Sequence, residues 1–148
     1  MSPRCEIVEV RLKVPDNTAY TALVALQNLG IDVSRVEHAA VWELADHGKP
    51  STLVARIERN EAIFNPNLHV ITIRSQPLPE GSEIWVWEVD RGAWKLPGRG
   101  IEGIAGAKPM TSWRLFDKNG EPAPEETLDR ACNELLRNAA VEDALFRF

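Results

Sequence analysis

The two ends of the chain carry one pattern, in which an alternating run is followed by helically spaced apolar residues and a second alternating run. Residues 5–14 (CEIVEVRLKV) alternate polar and apolar side chains, which predicts a strand. Pro15, Asp16 and Asn17 break this strand and offer helix caps. From Thr18 onwards the apolar residues recur at the spacing of one helix face, and Gly30 suits the position after the last turn. Residues 33–44 predict a second strand. The N-terminal region is therefore predicted to be strand–helix–strand.

The C-terminal region repeats this pattern. Residues 111–117 (TSWRLFD) predict a strand, and the turn that follows leads to Pro124. Proline suits the first turn of a helix, because its missing N–H would have no partner there. The apolar stripe of this helix consists of Leu128, Ala131, Cys132, Leu135 and Leu136, which predicts that Cys132 is a core residue. Residues 145–148 predict a closing strand, so the C-terminal region is also predicted to be strand–helix–strand.

Two such regions predict an α+β protein with a ferredoxin-like βαββαβ sheet, antiparallel and with both helices on one face. In this interpretation residues 1–148 form one domain with core halves 1–46 and 111–148. Residues 47–110 are then a β-rich insertion. The alternative is a pair of tandem ferredoxin-like repeats, residues 1–76 and 82–148.

The middle of the chain predicts further elements. Residues 52–64 predict a helix, with a strand at 53–57 as the alternative. Residues 68–73 and 83–89 predict strands, and a glycine-rich loop is expected from there to Pro109.

Composition and charge exclude several classes of protein. The chain has 148 residues, of which 44% are hydrophobic and 26% charged, as in an ordinary globular domain. Its net charge of −5 argues against a general nucleic-acid-binding protein, because phosphate contacts need a basic face. No leader pattern and no membrane-spanning apolar run occur, so we expect no membrane partner. The distant Cys5 and Cys132 are typical of reduced intracellular thiols, which predicts a cytoplasmic protein.

The glycine-rich residues 91–108 (RGAWKLPGRGIEGIAGAK) are the most distinctive segment of the chain. Gly98, Gly100 and Gly103 match the spacing G-x-G-x-x-G. A dinucleotide-binding loop must directly follow a strand and open a helix, and neither is predicted here, so we reject that interpretation. The segment carries four cations and one acid, which predicts a phosphate or carboxylate site, with a solvated surface loop as the alternative. The predicted ligand-binding residues are Arg91, Lys95, Gly98, Arg99, Gly100 and Lys108.

Tryptophans cluster around the same segment. Trp85 and Trp87 share one face of the predicted strand 83–89, and Ile84 and Val86 take the other. A strand that is apolar on both faces is either central in a packed core, which is the favoured interpretation, or covered by a partner. For the second case the predicted interface residues are Trp85, Trp87 and Trp94, because tryptophan is enriched where proteins bind one another.

Catalytic and metal-binding motifs are absent from the sequence. His38, His47 and His69 lack the spacing of metal ligands, and neither a G-x-S-x-G elbow nor a Walker loop occurs. No catalytic residue, metal or cofactor is therefore assigned, and we do not expect the chain to be catalytic alone.

Both ends of the chain resemble a known family. Residues 6–44 resemble the opening strand–helix–strand of PurS, the small subunit of bacterial phosphoribosylformylglycinamidine synthase, in the helix end LGI at 29–31 and the strand end EL at 43–44. Residues 128–148 resemble its closing helix and strand, most clearly in LLRN and VED within 135–143. The resemblance implies a ferredoxin-like, non-catalytic subunit that forms a homodimer or homotetramer. It also implies that this subunit connects a glutaminase to an ATP-dependent synthetase in purine biosynthesis.

Overall fold

The protein is an α+β protein with a six-stranded antiparallel sheet, seen in a computed structural model that describes residues 4–89, 96–138 and 142–146. Its elements are β1 (Arg4–Leu12), α1 (Asn17–Asn28), β2 (Arg35–Asp46), a 3-10 turn (Pro50–Thr52), α2 (Leu53–Glu58), β3 (His69–Arg74), β4 (Glu83–Glu88), β5 (Ile104–Phe116), α3 (Glu125–Ala131), a π-helical turn (Cys132–Leu136) and β6 (Glu142–Phe146). The strand order is β3-β1-β2-β5-β4-β6. The predicted α+β class is confirmed.

The chain divides into two compact units, each assembled from separate stretches of sequence. The first unit takes the described parts of Met1–Val14, Ala40–Pro77 and Arg91–Met110. The second unit takes the described parts of Pro15–Ala39, Leu78–Asp90 and Thr111–Phe148. Helix α1 therefore belongs to the second unit, although the strand before it belongs to the first.

Helix α1 forms where the sequence predicts it. Asp16 is its N-cap, and the Asp16 Oδ1 atom accepts hydrogen bonds from the backbone N–H groups of Thr18 (2.9 Å) and Ala19 (3.1 Å). These bonds satisfy two of the four N–H groups that a helix start leaves without partners. Gly30 adopts a φ of 79° just beyond the helix, a conformation that glycine reaches at little cost. The predicted N-terminal strand–helix–strand is confirmed.

The core of the second unit lies between its helices and the apolar face of β4. The buried α1 residue Leu26 and the α3 residue Leu128 belong to the same cluster as Ile84 and Val86. The predicted core position of Cys132 is confirmed, since only 1% of the residue is exposed. The prediction for Leu135 is wrong, because it is 40% exposed. The helix widens into a π-helical turn at this point, and the 3.6-residue period that defined the stripe no longer applies.

The core of the first unit is built around α2. Leu53 and Ile57 of this helix pack with Val8 and Val10 of β1. The predicted helix at 52–64 is correct in type and too long, because α2 ends at Glu58. The chain turns beyond this end, where the backbone N–H of residue 62 donates to the side chain of Asn60 (3.0 Å).

Strand β5 is longer than the sequence predicts. It begins at Ile104, within the segment expected to be a loop up to Pro109. Gly106 and Pro109 disfavour a strand, but Ala107 and Met110 are buried, at 7% and 6% exposure. Burial of these side chains outweighs the weak local propensity, which is why sequence pattern alone gave the wrong boundary.

Candidate functional site

Within the first unit, the described part of the glycine-rich segment packs on Asn60, which is 2% exposed. The Asn60 side-chain amide donates to the carbonyl oxygens of Pro97 (2.9 Å) and Gly100 (3.0 Å). A Cβ atom at position 98 would lie 3.0 Å from Asn60 Oδ1. Gly98, Gly100 and Gly103 have φ values of 66°, 74° and 80°, which other residues rarely adopt. Backbone shape and close packing therefore account for these glycines without a nucleotide.

The predicted anion-binding residues that the structure describes are not all brought together. Gly98 and Arg99 are exposed and Gly100 is half-buried within it, whereas Lys108 lies inside β5 and is half-buried. Arg91 and Lys95 lie outside the described residues. The structure therefore brings together Gly98, Arg99 and Gly100 of the predicted set.

A cavity of about 390 Å³ lies in the first unit beside Gly103. Its lining includes the cationic side chains of Lys49, Arg56 and Arg59 and the carboxylate of Glu102. Lys49 and His47 are exposed, and Arg59 lies 4.0 Å from Glu102 with 73% of its side chain exposed. These cationic side chains make the cavity a candidate anion site.

Arg56 cannot serve as an anion ligand, because its hydrogen-bonding capacity is fully used. A guanidinium has five N–H groups. In Arg56 the Nε atom donates to Thr52 Oγ1 (2.9 Å), and Nη1 donates to Asp46 Oδ1 (2.9 Å) and Glu102 O (2.7 Å). The Nη2 atom donates to Asp46 Oδ2 (2.9 Å) and Lys49 O (2.9 Å). All five donors are satisfied within the protein, so Arg56 is a structural residue.

Asp46 is the partner that makes this arrangement stable. It is 1% exposed and also accepts hydrogen bonds from Arg4 Nη2 (2.9 Å) and the Gly48 N–H (2.8 Å). The hydrogen bonds from Arg56 hold the pKa of the Asp46 carboxyl below its usual value, and they raise the pKa of Arg56. A buried charge pair is stable only when its remaining lone pairs and protons are bonded, and here they are.

Two glycines make room for this pair. A Cβ atom at Gly48 would lie 2.7 Å from Arg56 Cζ, and one at Gly103 would lie 3.2 Å from Arg56 Nη1. We call Arg4, Asp46, Gly48, Arg56 and Gly103 the Asp46–Arg56 cluster. Sequence analysis missed it, because only a D-x-G turn at 46–48 marks it and Arg4 and Gly103 are far apart in the chain.

The tryptophans of β4 do not form an exposed platform. Trp85 is 2% exposed, and Trp87 is half-buried. A ring with 2% exposure adds almost no contact area to a partner, so Trp85 is a core residue of this chain. Trp94 lies outside the described residues, and an interface role for Trp87 stays a prediction.

The exposed thiol of Cys5 is not an activated nucleophile. Its Sγ atom lies 3.1 Å from Glu43 Oε1, and the hydrogen bond to this carboxylate, together with burial, raises the pKa of Cys5 to about 11. Burial also raises the pKa of Cys132. Nucleophilic attack needs the thiolate, which is scarce at neutral pH under these conditions.

Residues 4–89, 96–138 and 142–146 contain no group of three or more His, Cys, Asp or Glu side chains able to hold a metal ion. Within the same ranges no helix is long and apolar enough to cross a membrane. No protein-family model matches the chain, and no curated protein matches it either.

Proposed function

We propose that the chain is a PurS-like, non-catalytic assembly subunit related to the phosphoribosylformylglycinamidine synthase complex of purine biosynthesis. The observation that carries this proposal is the pairing of the strands. Strand β1 pairs with β2 and β3, and β4 pairs with β5 and β6, always antiparallel. The partners of β1 all lie within residues 1–76, and those of β4 within 82–148. This pairing favours the tandem arrangement over a single domain with an insertion.

Sequence within the paired strands supports the same arrangement. Residues 42–46 read Trp-Glu-Leu-Ala-Asp, and residues 113–117 read Trp-Arg-Leu-Phe-Asp. The tryptophan that opens each motif pairs with an apolar residue of the central strand, Val8 in one case and Ile84 in the other. We infer that the two halves are copies of one ancestral unit, each with the strand and helix order that the resemblance implies.

The proposal includes a ferredoxin-like fold for these units. In the second unit the start of β2 and the end of β5 follow the order β2-β5-β4-β6 with the two complete strands, and α1 and α3 share a core with Ile84 and Val86 of β4. An antiparallel four-stranded sheet with two helices on one face is the arrangement predicted from the sequence. The second unit would draw the segment that carries α1 from the first repeat, and the first unit would draw the described part of 91–110 from the second repeat.

An assembly role fits the chemistry of the described side chains. The most buried charge pair is structurally satisfied, and the exposed thiol is held protonated. The partners in this proposal are a glutaminase, an ATP-dependent synthetase and further copies of the chain, in a homodimer or homotetramer.

The experiment is a reconstitution with the glutaminase and synthetase subunits from the same cell. We expect the chain to co-purify with both and to be required for glutamine-dependent ATP hydrolysis by the mixture. Free ammonia should support ATP hydrolysis without the chain, which serves as the control. Absence of both co-purification and dependence would contradict the proposal. Solution mass then gives the number of copies.

A second candidate function is a stand-alone binding module for a phosphorylated or anionic metabolite. The cavity beside Gly103 favours it, because the exposed Lys49 and Arg59 line it and Arg99 is exposed on the adjoining segment. The test is thermal stabilisation by inorganic phosphate and pyrophosphate. Replacing Lys49 and Arg59 by Ala should abolish stabilisation, and Lys118→Ala, an exposed cation of the second unit, should not. No stabilisation of the unaltered protein would exclude this candidate.

A further inference from the structure

A groove of about 430 Å³ lies in the second unit between the N-terminal half of α1 and the π-helical turn. Trp113 of β5 lies between its walls, Leu135 and Leu136 form one wall, and Thr18, Thr21, Ala22 and Ala25 form the other. Asn17 completes the lining at the start of α1. Its volume falls in the range of about 300–1,000 Å³ found for small-molecule sites.

The groove is open because the two ends of α1 pack differently. Towards its C-terminal end, Leu26 is fully buried, and the Arg130 guanidinium donates to the carbonyl oxygens of Leu29 (2.8 Å) and Gly30 (3.1 Å). Those bonds tie α3 to the end of α1. Towards the N-terminal end the side chains that line the groove are threonine and alanine, and Thr18 and Thr21 are exposed, so the space beside them stays open. Protein cores are normally close-packed, so a space of this size has room for an occupant.

Trp113 is held in a fixed orientation beside this space. Its ring packs against the His38 ring in a tilted arrangement, with ring centroids 4.7 Å apart and planes inclined by 45°. His38 Nδ1 lies 2.9 Å from Asp16 Oδ2, and Asp16 is also the N-cap of α1. The aromatic surface and the helix start are therefore positioned by the same carboxylate. A surface that is already ordered loses little conformational entropy when a ligand binds.

The opposite wall is an irregular helix end. The Arg137 N–H donates to the Cys132 carbonyl oxygen (3.0 Å), five residues back, which closes a π-helical turn. Turns of this type occur frequently at functional sites. Here the turn places two consecutive leucines at the groove, and the outer one, Leu135, remains 40% exposed.

We propose that this groove binds a small uncharged molecule with a flat apolar ring system and one hydroxyl, carbonyl or amide group. The ring would lie on Trp113 against Leu135 and Leu136, and the polar group would bond Asn17, Thr18 or Thr21. None of the lining side chains among the described residues is charged, so a charged ligand would lose hydration without gaining a partner from them. This inference does not depend on the assembly role proposed above.

The test uses 2-naphthol as an uncharged probe and 2-naphthoate as a charged probe of the same shape. Binding to the full chain is measured by ligand-observed NMR and by quenching of tryptophan fluorescence. We expect 2-naphthol to bind at least about tenfold more tightly than 2-naphthoate. Equal binding of the two probes would overturn the assignment of an uncharged ligand. Absence of 2-naphthol binding at millimolar concentration would overturn the site.

Matched variants locate the probe on α1. Thr21→Phe places a ring in the groove, and Val24→Phe adds the same ring at a position 37% exposed and outside the lining. We expect Thr21→Phe to weaken 2-naphthol binding about tenfold or more, and Val24→Phe to change it less than about twofold. Unchanged binding to a folded Thr21→Phe protein would contradict the site. Leu135→Ala, an exposed truncation of the opposite wall, gives an independent measurement and should weaken binding at least about threefold.

Discussion

At the scale of single residues, the Asp46–Arg56 cluster holds a buried charge pair whose loss should destabilise the first unit. Replacing Arg56 by Met would leave the Asp46 carboxylate buried without its main partner, at a cost of about 3–5 kcal/mol in the free energy of unfolding. Arg59→Met is the matched control, because Arg59 is 73% exposed and lies 4.0 Å from Glu102. Its expected cost is below about 1 kcal/mol. Urea unfolding measures both, and equal costs would contradict the structural role of Arg56.

The same cluster predicts how stability depends on pH. The pKa of Asp46 is lower in the folded protein than its ordinary value of 3.8, so the unfolded chain binds this proton more readily. The stabilisation is complete above the ordinary value and is lost as pH falls through the folded value. We expect the free energy of unfolding to decrease below about pH 4 in the wild type. The decrease should be smaller in Asp46→Asn and unchanged in Asp32→Asn, an exposed control. Identical pH profiles for wild type and Asp46→Asn would contradict this assignment.

Cys5 gives a third prediction at the residue scale. Glu43→Gln removes the carboxylate that raises the Cys5 pKa to about 11, so the pKa should fall towards its ordinary value of 9.0. The thiolate fraction rises, while the lower basicity makes each thiolate less nucleophilic. The net increase in iodoacetamide alkylation at pH 8 should be about tenfold. Peptide mass spectrometry separates Cys5 from the buried Cys132. Glu121→Gln should leave the rate unchanged, and no increase in Glu43→Gln would contradict the proposed cause.

At the scale of elements, Asp16 decides where α1 begins. Asp16→Ala removes the acceptor for two backbone N–H groups and should destabilise the protein by about 1 kcal/mol. Asp16→Asn keeps an acceptor and should restore most of that loss, because asparagine and aspartate cap about equally well. Urea unfolding compares them. Equal destabilisation by both variants would show that the contact with His38, rather than the cap, carries the effect.

Many of the helices and strands could be predicted from local sequence pattern. The alternation at 5–14, the cap and the helical spacing from Thr18 are all short-range signals, and the corresponding elements are present. The length of α2 and the start of β5 could not be predicted, because distant contacts set both. Asn60 bonds Pro97 and Gly100 just after α2, and burial of Ala107 holds the early part of β5 in a strand.

At the scale of the whole molecule, the two units exchange segments of sequence. Residues 15–39 belong to the second unit, and the described part of 91–110 belongs to the first. A fragment of residues 1–76 would therefore lack part of the first unit and carry a helix whose core partners are absent. We expect this fragment to be unfolded as a monomer by circular dichroism. Coexpression with residues 77–148 should restore cooperative unfolding, and a cooperatively folded monomeric fragment 1–76 would contradict the exchange.

The sequence by itself determined the α+β class, the cap of α1 and the burial of Cys132, because each depends on residues close together in the chain. Only the tertiary structure decided that the glycine-rich segment packs on Asn60, that Asp46 pairs with Arg56, and that Trp113 lines a groove. These features join residues from different elements, and their geometry depends on distances that periodicity cannot encode. The tertiary structure also decides which strands pair, because an alternating run predicts a strand but does not indicate the strands beside it in the sheet.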